Sequence, residues 1–183
     1  MCCRTPLYQT LRDKGNVDEI ENKGPFLCKK RGAWLGNGYY FWENNVDNAH
    51  WWGKNFKEGY IICRSYYIYD NKNFFDFMNP NHIEIFRVYV LELEKKYNYR
   101  KLTVSFVLEF LKKQKNFAKY KAIRCYPSKQ DSENIMYFNE NKNIKAFLDL
   151  RPPVQICVFD KSFLCQNIYE IIYPETYSRG YVG

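Results

Sequence analysis

Apolar and polar positions along this chain follow two periods, one of strands and one of helices. Short runs rich in β-branched and aromatic residues predict strands at 6–10, 60–70, 120–126, 135–139, 154–159 and 169–173. Ile83, Phe86, Val90, Leu93 and Tyr97 recur at spacings of three and four, the stripe of an amphipathic helix. Val104, Val107, Phe110 and Leu111 repeat it, with Lys112, Lys113 and Lys115 expected in the last turn, where cations suit the helix dipole. Further helical turns are expected at 17–23, stopped by Gly24-Pro25, at 46–52, and at 144–148. Residues 131–134 read as a polar loop. Strands at both ends with helices between make an α+β fold. No repeat or low-complexity linker divides the chain, so residues 1–183 read as one domain.

Composition narrows this picture. A chain of 183 residues can bury roughly 70% of its unfolded surface, so it needs no disulfide or metal to hold a core. The seven cysteines are odd in number and irregularly spaced, and no Cys-x-x-Cys pair accompanies the two histidines, His50 and His82. That argues against a zinc site and for reduced thiols. No apolar run approaches 18 residues and no signal-peptide pattern is present, so the expectation is a cytoplasmic protein with no membrane association. Aromatic residues reach 19%, enough for a Tyr-rich core or for rings that stack on a nucleotide. The net charge is +8, and it is concentrated: Lys95 to Lys129 holds eleven Lys or Arg and one acid, Glu109. Such a block favours a polyanionic partner, or is a solvated face.

Two segments stand out chemically. Trp34-Leu35-Gly36-Asn37-Gly38-Tyr39-Tyr40-Phe41 places an aromatic run directly after two glycines, which let a backbone approach a ligand closely. Val154-Gln155-Ile156-Cys157-Val158-Phe159-Asp160 is an apolar strand with one polar residue at its head. Each alone is a common structural pattern. Together they resemble the Gly-x-Gly-Ile-Tyr-Phe motif and the Glu-headed strand of the diphtheria-toxin-like ADP-ribosyltransferases, which include the poly(ADP-ribose) polymerases. The register supports the resemblance: that family carries a second aromatic eleven residues after its motif Tyr, and Trp51 stands eleven after Tyr40. The family's opening Tyr-or-Trp-His-Gly-Ser-or-Thr is matched in part by Leu7-Tyr8-Gln9-Thr10. Either Gln9 takes the His place with the Gly deleted, or Tyr8 takes it and Gln9 replaces the Gly. The run from Ala33 to Gly53 also resembles a family of uncharacterised bacterial proteins.

The resemblance implies a split β-sheet core with flanking helices and NAD as substrate. It implies that Tyr40 and Trp51 clamp the nicotinamide, and that Tyr8, Gln9, Thr10, Gly38 and Tyr39 line the NAD site. Gln155 stands where the family's catalytic Glu would be; being neutral, it can hydrogen-bond but cannot act as a general base. Chain elongation into poly(ADP-ribose) is therefore not expected. What remains is a mono-ADP-ribosyltransferase of toxin or defence type, an NAD glycohydrolase, or an inactive NAD-binding domain. Its acceptor would be RNA, DNA or protein, and an antitoxin would be a natural partner. Glu43, Asp131 and Glu133 are candidates for a substitute acid, His50 for a base, and Arg31 for the NAD diphosphate; each is otherwise a plain surface residue. The competing class is a nucleic-acid-binding module in which Tyr40 and Trp51 only stack bases.

Overall fold

The computed structural model describes residues 4–29, 33–68, 70, 72–98, 102–126, 134–138, 146–166 and 168–178. Its centre is a mixed sheet of seven strands: β1 (Arg4–Arg12), β2 (Tyr39–Glu43), β3 (Tyr60–Ile68), β4 (Phe74–Asp76), β5 (Ala122–Cys125), β8 (Gln155–Val158) and β9 (Glu170–Tyr173). They lie in the order β4-β5-β8-β2-β1-β3-β9. All pairs are antiparallel except β4 with β5. β6 (Ile135–Tyr137) and β7 (Phe147–Asp149) form a separate two-stranded ribbon. The helices are α1 (Val17–Lys23), α2 (Val46–Gly53), α3 (Pro80–Tyr97) and α4 (Val104–Leu111). The α+β class expected from the sequence is the architecture observed.

Residues directly opposite in an antiparallel pair share a face, and the face alternates along each strand. This sorts the sheet without ambiguity. Gln155 lies opposite Trp42, Trp42 opposite Tyr8, and Tyr8 opposite Arg64, so these four share the front face. Tyr40, Cys157 and Thr10 follow by alternation. The front face carries two packed layers. α2 covers one half, where Trp42, Ala49 and Ile62 pack with Tyr8, Tyr60 and Tyr173. α3 and α4 cover the other, around Leu35, Phe75, Leu93, Leu108, Leu111, Ile123 and Cys157. α1 and the segment after β8 cover the back, over Leu7, Ile20, Phe41, Tyr67, Ile156 and Leu164.

Several expectations are corrected here. Where a split sheet was expected, backbone pairing runs unbroken across the seven strands of the main sheet. Phe147 and Leu148, expected in a helical turn, are extended because they pair with Tyr137 and Met136. The rest of the helix expected at 144–148 lies largely outside the described residues. α4 stops at Leu111, so Lys112 is its C-cap and Lys113 and Lys115 lie beyond its last turn. The stripe on α3 is shorter than expected: Phe86, Val90 and Leu93 pack inward as expected, while Ile83 and Tyr97 at its ends are about half exposed, at 47% and 49%. β4 escapes sequence reading because Phe74-Phe75-Asp76 does not alternate; its pairing with β5 makes it a strand.

Two polar constructions lock the back face. Gln9 points there, opposite Cys63, and is 4% exposed. Its Nε2 donates to the Phe26 carbonyl at 2.9 Å, and its Oε1 accepts from the Phe26 amide at 2.9 Å and the Tyr169 hydroxyl at 2.7 Å. Gln9→Leu leaves those buried groups unpaired. It is expected to lower stability by about 2–3 kcal/mol, measured by chemical denaturation; an unchanged midpoint would mean that the 24–28 loop is held by other contacts. The second construction is ionic. Arg124 lies 2.9 Å from Glu43 and 3.3 Å from Asp76, and the Tyr67 hydroxyl donates to Glu43.

Candidate functional site

The site grows from the transverse row Tyr8–Trp42–Gln155 on the front face. Three chain segments far apart in sequence supply it, because β1, β2 and β8 are adjacent in the sheet. Trp42 is its floor, 6% exposed. Trp51 and Trp52, on α2, stand over it, with ring centroids 6.2 and 6.4 Å from that of Trp42. Trp34 enters from the loop before β2, and its Nε1 donates to Gln155 Oε1 at 2.7 Å. Three tryptophans thus form one ring cluster, and the fourth, Trp34, meets Gln155, the residue opposite Trp42. Thr10 helps fix α2: its hydroxyl donates to the Ala49 carbonyl at 2.9 Å. Asn48 ties the helix to the approach to β8 by donating to the Pro152 carbonyl at 3.2 Å.

An indole N–H can only donate, so the Gln155 atom facing Trp34 is the oxygen, and the amide orientation is assigned by its partner. Gln155 is 9% exposed and held rather than free to turn. Tyr8 is half-buried; burial raises its phenol pKa, against the nearby Arg64 charge, which lowers it. Tyr8 is therefore a neutral hydrogen-bonding hydroxyl at physiological pH. Arg64 is itself paired with Glu170 at 2.8 Å.

Tyr40 shares the front face, yet its role differs from the expected nicotinamide clamp. Its hydroxyl donates to the Gly36 carbonyl at 2.7 Å and accepts from the Leu35 amide at 2.9 Å. Its ring packs with Leu35 and Cys157, and burial raises its pKa far above the usual phenol range. Tyr40 thus closes the 33–38 loop that carries Trp34. The glycines serve the same closure: a Cβ on Gly38 would meet Cys157 Sγ, and one on Gly36, at φ +79°, would meet Glu109. Their close approach is to protein rather than to an open cleft. Tyr39 lies opposite Val158 and Gln9 opposite Cys63, so both point to the back face. Side-chain parity separates the residues of the first segment: Tyr8 and Thr10 stand on the Gln155 side of the sheet and Gln9 on the other.

The remaining described candidates, Glu43 and His50, are engaged elsewhere. Glu43 points to the back and is committed to Arg124 and Tyr67. His50 Nδ1 lies 3.0 Å from the Tyr60 hydroxyl, and its ring meets Tyr173 edge-on at 4.8 Å. Asp131, Glu133 and Arg31 lie outside the described residues. Sequence reasoning missed Trp34, Trp42 and Trp52 as a group, although the signal was there: all four tryptophans fall within residues 34–52.

A latch holds the Trp34 loop to α4. Glu109 Oε1 accepts from the Asn37 amide at 3.0 Å and from Lys112 Nζ at 2.9 Å. Lys112 Nζ also donates to the Asn37 carbonyl at 3.0 Å and sits 4.1 Å from the Phe159 ring centroid. Burial pushes the Glu109 pKa up, but Lys112 and the Asn37 amide prevail and hold it below the ordinary 4.5. A carboxylate with a depressed folded pKa adds stability above its unfolded pKa and loses it as pH falls through the folded value. The Asn37 amide is expected to exchange faster with solvent below about pH 4.5 than global opening explains. Glu109→Gln should exchange fast already at neutral pH; equal rates in both proteins would mean the latch does not hold the loop.

Among the described residues no cluster of His, Cys, Asp or Glu could hold a metal ion, and no helix is long and apolar enough to cross a membrane. No family model, curated protein or solved structure matches the chain.

Proposed function

We propose that the protein binds NAD at the Tyr8–Trp42–Gln155 row and transfers one ADP-ribose unit to a macromolecular acceptor. The observation that supports this most is the convergence of segments 7–10, 34–42 and 155–158 on three adjacent strands, with Tyr8, Trp42 and Gln155 in register. These are the segments whose resemblance to ADP-ribosyltransferase motifs first suggested NAD. In this reading the exposed indoles of Trp51 and Trp52, backed by buried Trp42, replace the Tyr40–Trp51 pair as the surface that receives the nicotinamide, a flat cation suited to electron-rich rings. Tyr8 and the amide of Gln155, oriented by Trp34, hold ribose hydroxyls. The bond from the ribose carbon to nicotinamide breaks, its electron pair leaves with the ring nitrogen, and a nucleophile of the acceptor forms the new bond and releases a proton. Gln155 orients the sugar without supplying negative charge to the oxocarbenium-like transition state, which fits slow, single transfer rather than chain growth.

The test uses the tryptophans themselves. Titration with NAD should quench most of the intrinsic tryptophan emission, because all four indoles adjoin the site. The Trp51→Ala, Trp52→Ala double variant should weaken NAD binding by about 1–3 kcal/mol, roughly 5- to 150-fold in Kd. Release of nicotinamide, lost in the double variant, would establish the chemistry. Neither quenching nor nicotinamide release at millimolar NAD would end the reading.

A further inference from the structure

We propose that the protein pairs with a second copy of itself through the outer face of α3, the two helices running antiparallel. The pairing is independent of NAD and of any transfer chemistry.

α3 carries two stripes of similar spacing. Phe86, Val90 and Leu93 face the core. On the opposite side Asn81, Glu84, Val88, Leu91, Lys95 and Asn98 follow at spacings of three, four, three, four and three. At 3.6 residues per turn these six make one line along the helix, the alternation of a helix-pairing seam. All six are exposed, Val88 and Leu91 at 43% and 42%. No proline or glycine falls between Asn81 and Tyr97, so nothing in the sequence kinks the line.

Two exposed apolar residues on a helix are ordinary. The order of charges around them selects the occupant. The line reads Asn-Glu-Val-Leu-Lys-Asn, and read backwards it presents the opposite charge at each charged position. Turned end for end about the midpoint between Val88 and Leu91, it sets Val88 against Leu91 of the second copy and Glu84 against Lys95. Asn81 falls against Asn98. Beside the line, Arg87 and Glu92 stand equally far from the midpoint, so the same rotation brings them together. Each contact then occurs twice, as a two-fold interface requires. A parallel pair would set Glu84 on Glu84 and Lys95 on Lys95, so charge also fixes the direction. Arg87 already donates to its own Glu84 at 2.7 and 2.8 Å, whereas Glu92 and Lys95 form no ion pair among the described residues. The seam holds two acids and two bases on a chain of net charge +8, so a second copy meets no net repulsion there.

Sedimentation equilibrium at physiological salt tests this. A seam of one helix per copy is small, so wild type should dimerise weakly, with Kd roughly 100 µM, followed from about 5 µM to about 1 mM. Glu84→Lys and Lys95→Glu should each weaken the dimer at least about tenfold, because both copies of the contact become like-charged. Mixed in equal amounts, the two variants should associate about as tightly as wild type, since each presents the charge the other lacks. Both changes in one chain should restore self-association likewise. Recovery on mixing cannot come from a folding defect. A monomer throughout the range overturns the proposal. So does a dimer that the two charge reversals leave unchanged, or a mixture of the two variants that stays monomeric.

Discussion

Arg124→Ala is expected to destabilise the protein by about 3–5 kcal/mol, the typical cost of removing one partner from a buried ion pair. Arg124 is the cation between two carboxylates on the back of the sheet, Glu43 and Asp76, whose side chains are 4% and 10% exposed. Without it those carboxylates remain, facing each other with no cation between them. The Tyr67 hydroxyl, which donates to Glu43, can satisfy one oxygen but not the charge. A loss of that size is a large fraction of the usual stability of a domain and should lower Tm by roughly 6–20 °C. Denaturant unfolding at neutral pH measures it, through the midpoint at constant slope. The combination Arg124→Met, Glu43→Gln, Asp76→Asn removes every charge of the cluster and should recover most of the loss. If Arg124→Ala alone is near neutral, water reaches the cluster and the pairing contributes little.

The second large effect is chemical. On the proposed reading Gln155→Ala should cut nicotinamide release by about 10²–10³-fold, the usual cost of deleting one preorganised hydrogen-bonding group at a reacting centre. Its melting temperature should fall little, because a single neutral bond to Trp34 is lost. Gln155→Glu keeps an acceptor for the Trp34 N–H and adds a charge that favours an oxocarbenium-like transition state. It should exceed wild type by roughly tenfold, about 1.4 kcal/mol of barrier. Turnover in Gln155→Ala equal to wild type would remove Gln155 from the reaction, whatever the fate of NAD binding.

Much of the fold was legible because it is written in local patterns. α1, α2, β1, β3, β8 and β9 carry their own periodicity, and Gly24-Pro25 stops α1 where a proline should. The errors have equally local causes. β4, Phe74-Phe75-Asp76, shows no alternation of apolar and polar positions, so it passed unseen. Phe147 and Leu148 suit a strand only once Tyr137 and Met136 lie beside them. Apolar Ile83 and Tyr97 fit the stripe of α3 by spacing, but the core reaches only its middle, Phe86, Val90 and Leu93.

The candidate site was named from the sequence only through the resemblance, which pointed to Tyr8, Gln9, Thr10, Gly38, Tyr39, Tyr40, Trp51 and Gln155 and left Tyr8 and Gln9 as alternatives. Which of these share a face with Gln155 is a matter of strand parity, and parity is fixed only when β1 pairs with β2. Nor could spacing tell that the Tyr40 hydroxyl closes its own loop, that Glu43 turns to the back, or that three of the eleven basic residues, Lys112, Lys121 and Arg124, are consumed internally. Chain order alone determined the class of fold, the strand that carries Gln155 and the excess of positive charge. The tertiary structure decided which side chains share a face, and with that which three indoles cluster, that Trp34 meets Gln155, and which lysines remain exposed. The reason is physical: periodicity reports the environment of a residue relative to its neighbours in the chain, whereas a site is made of residues that become neighbours only through sheet register and packing.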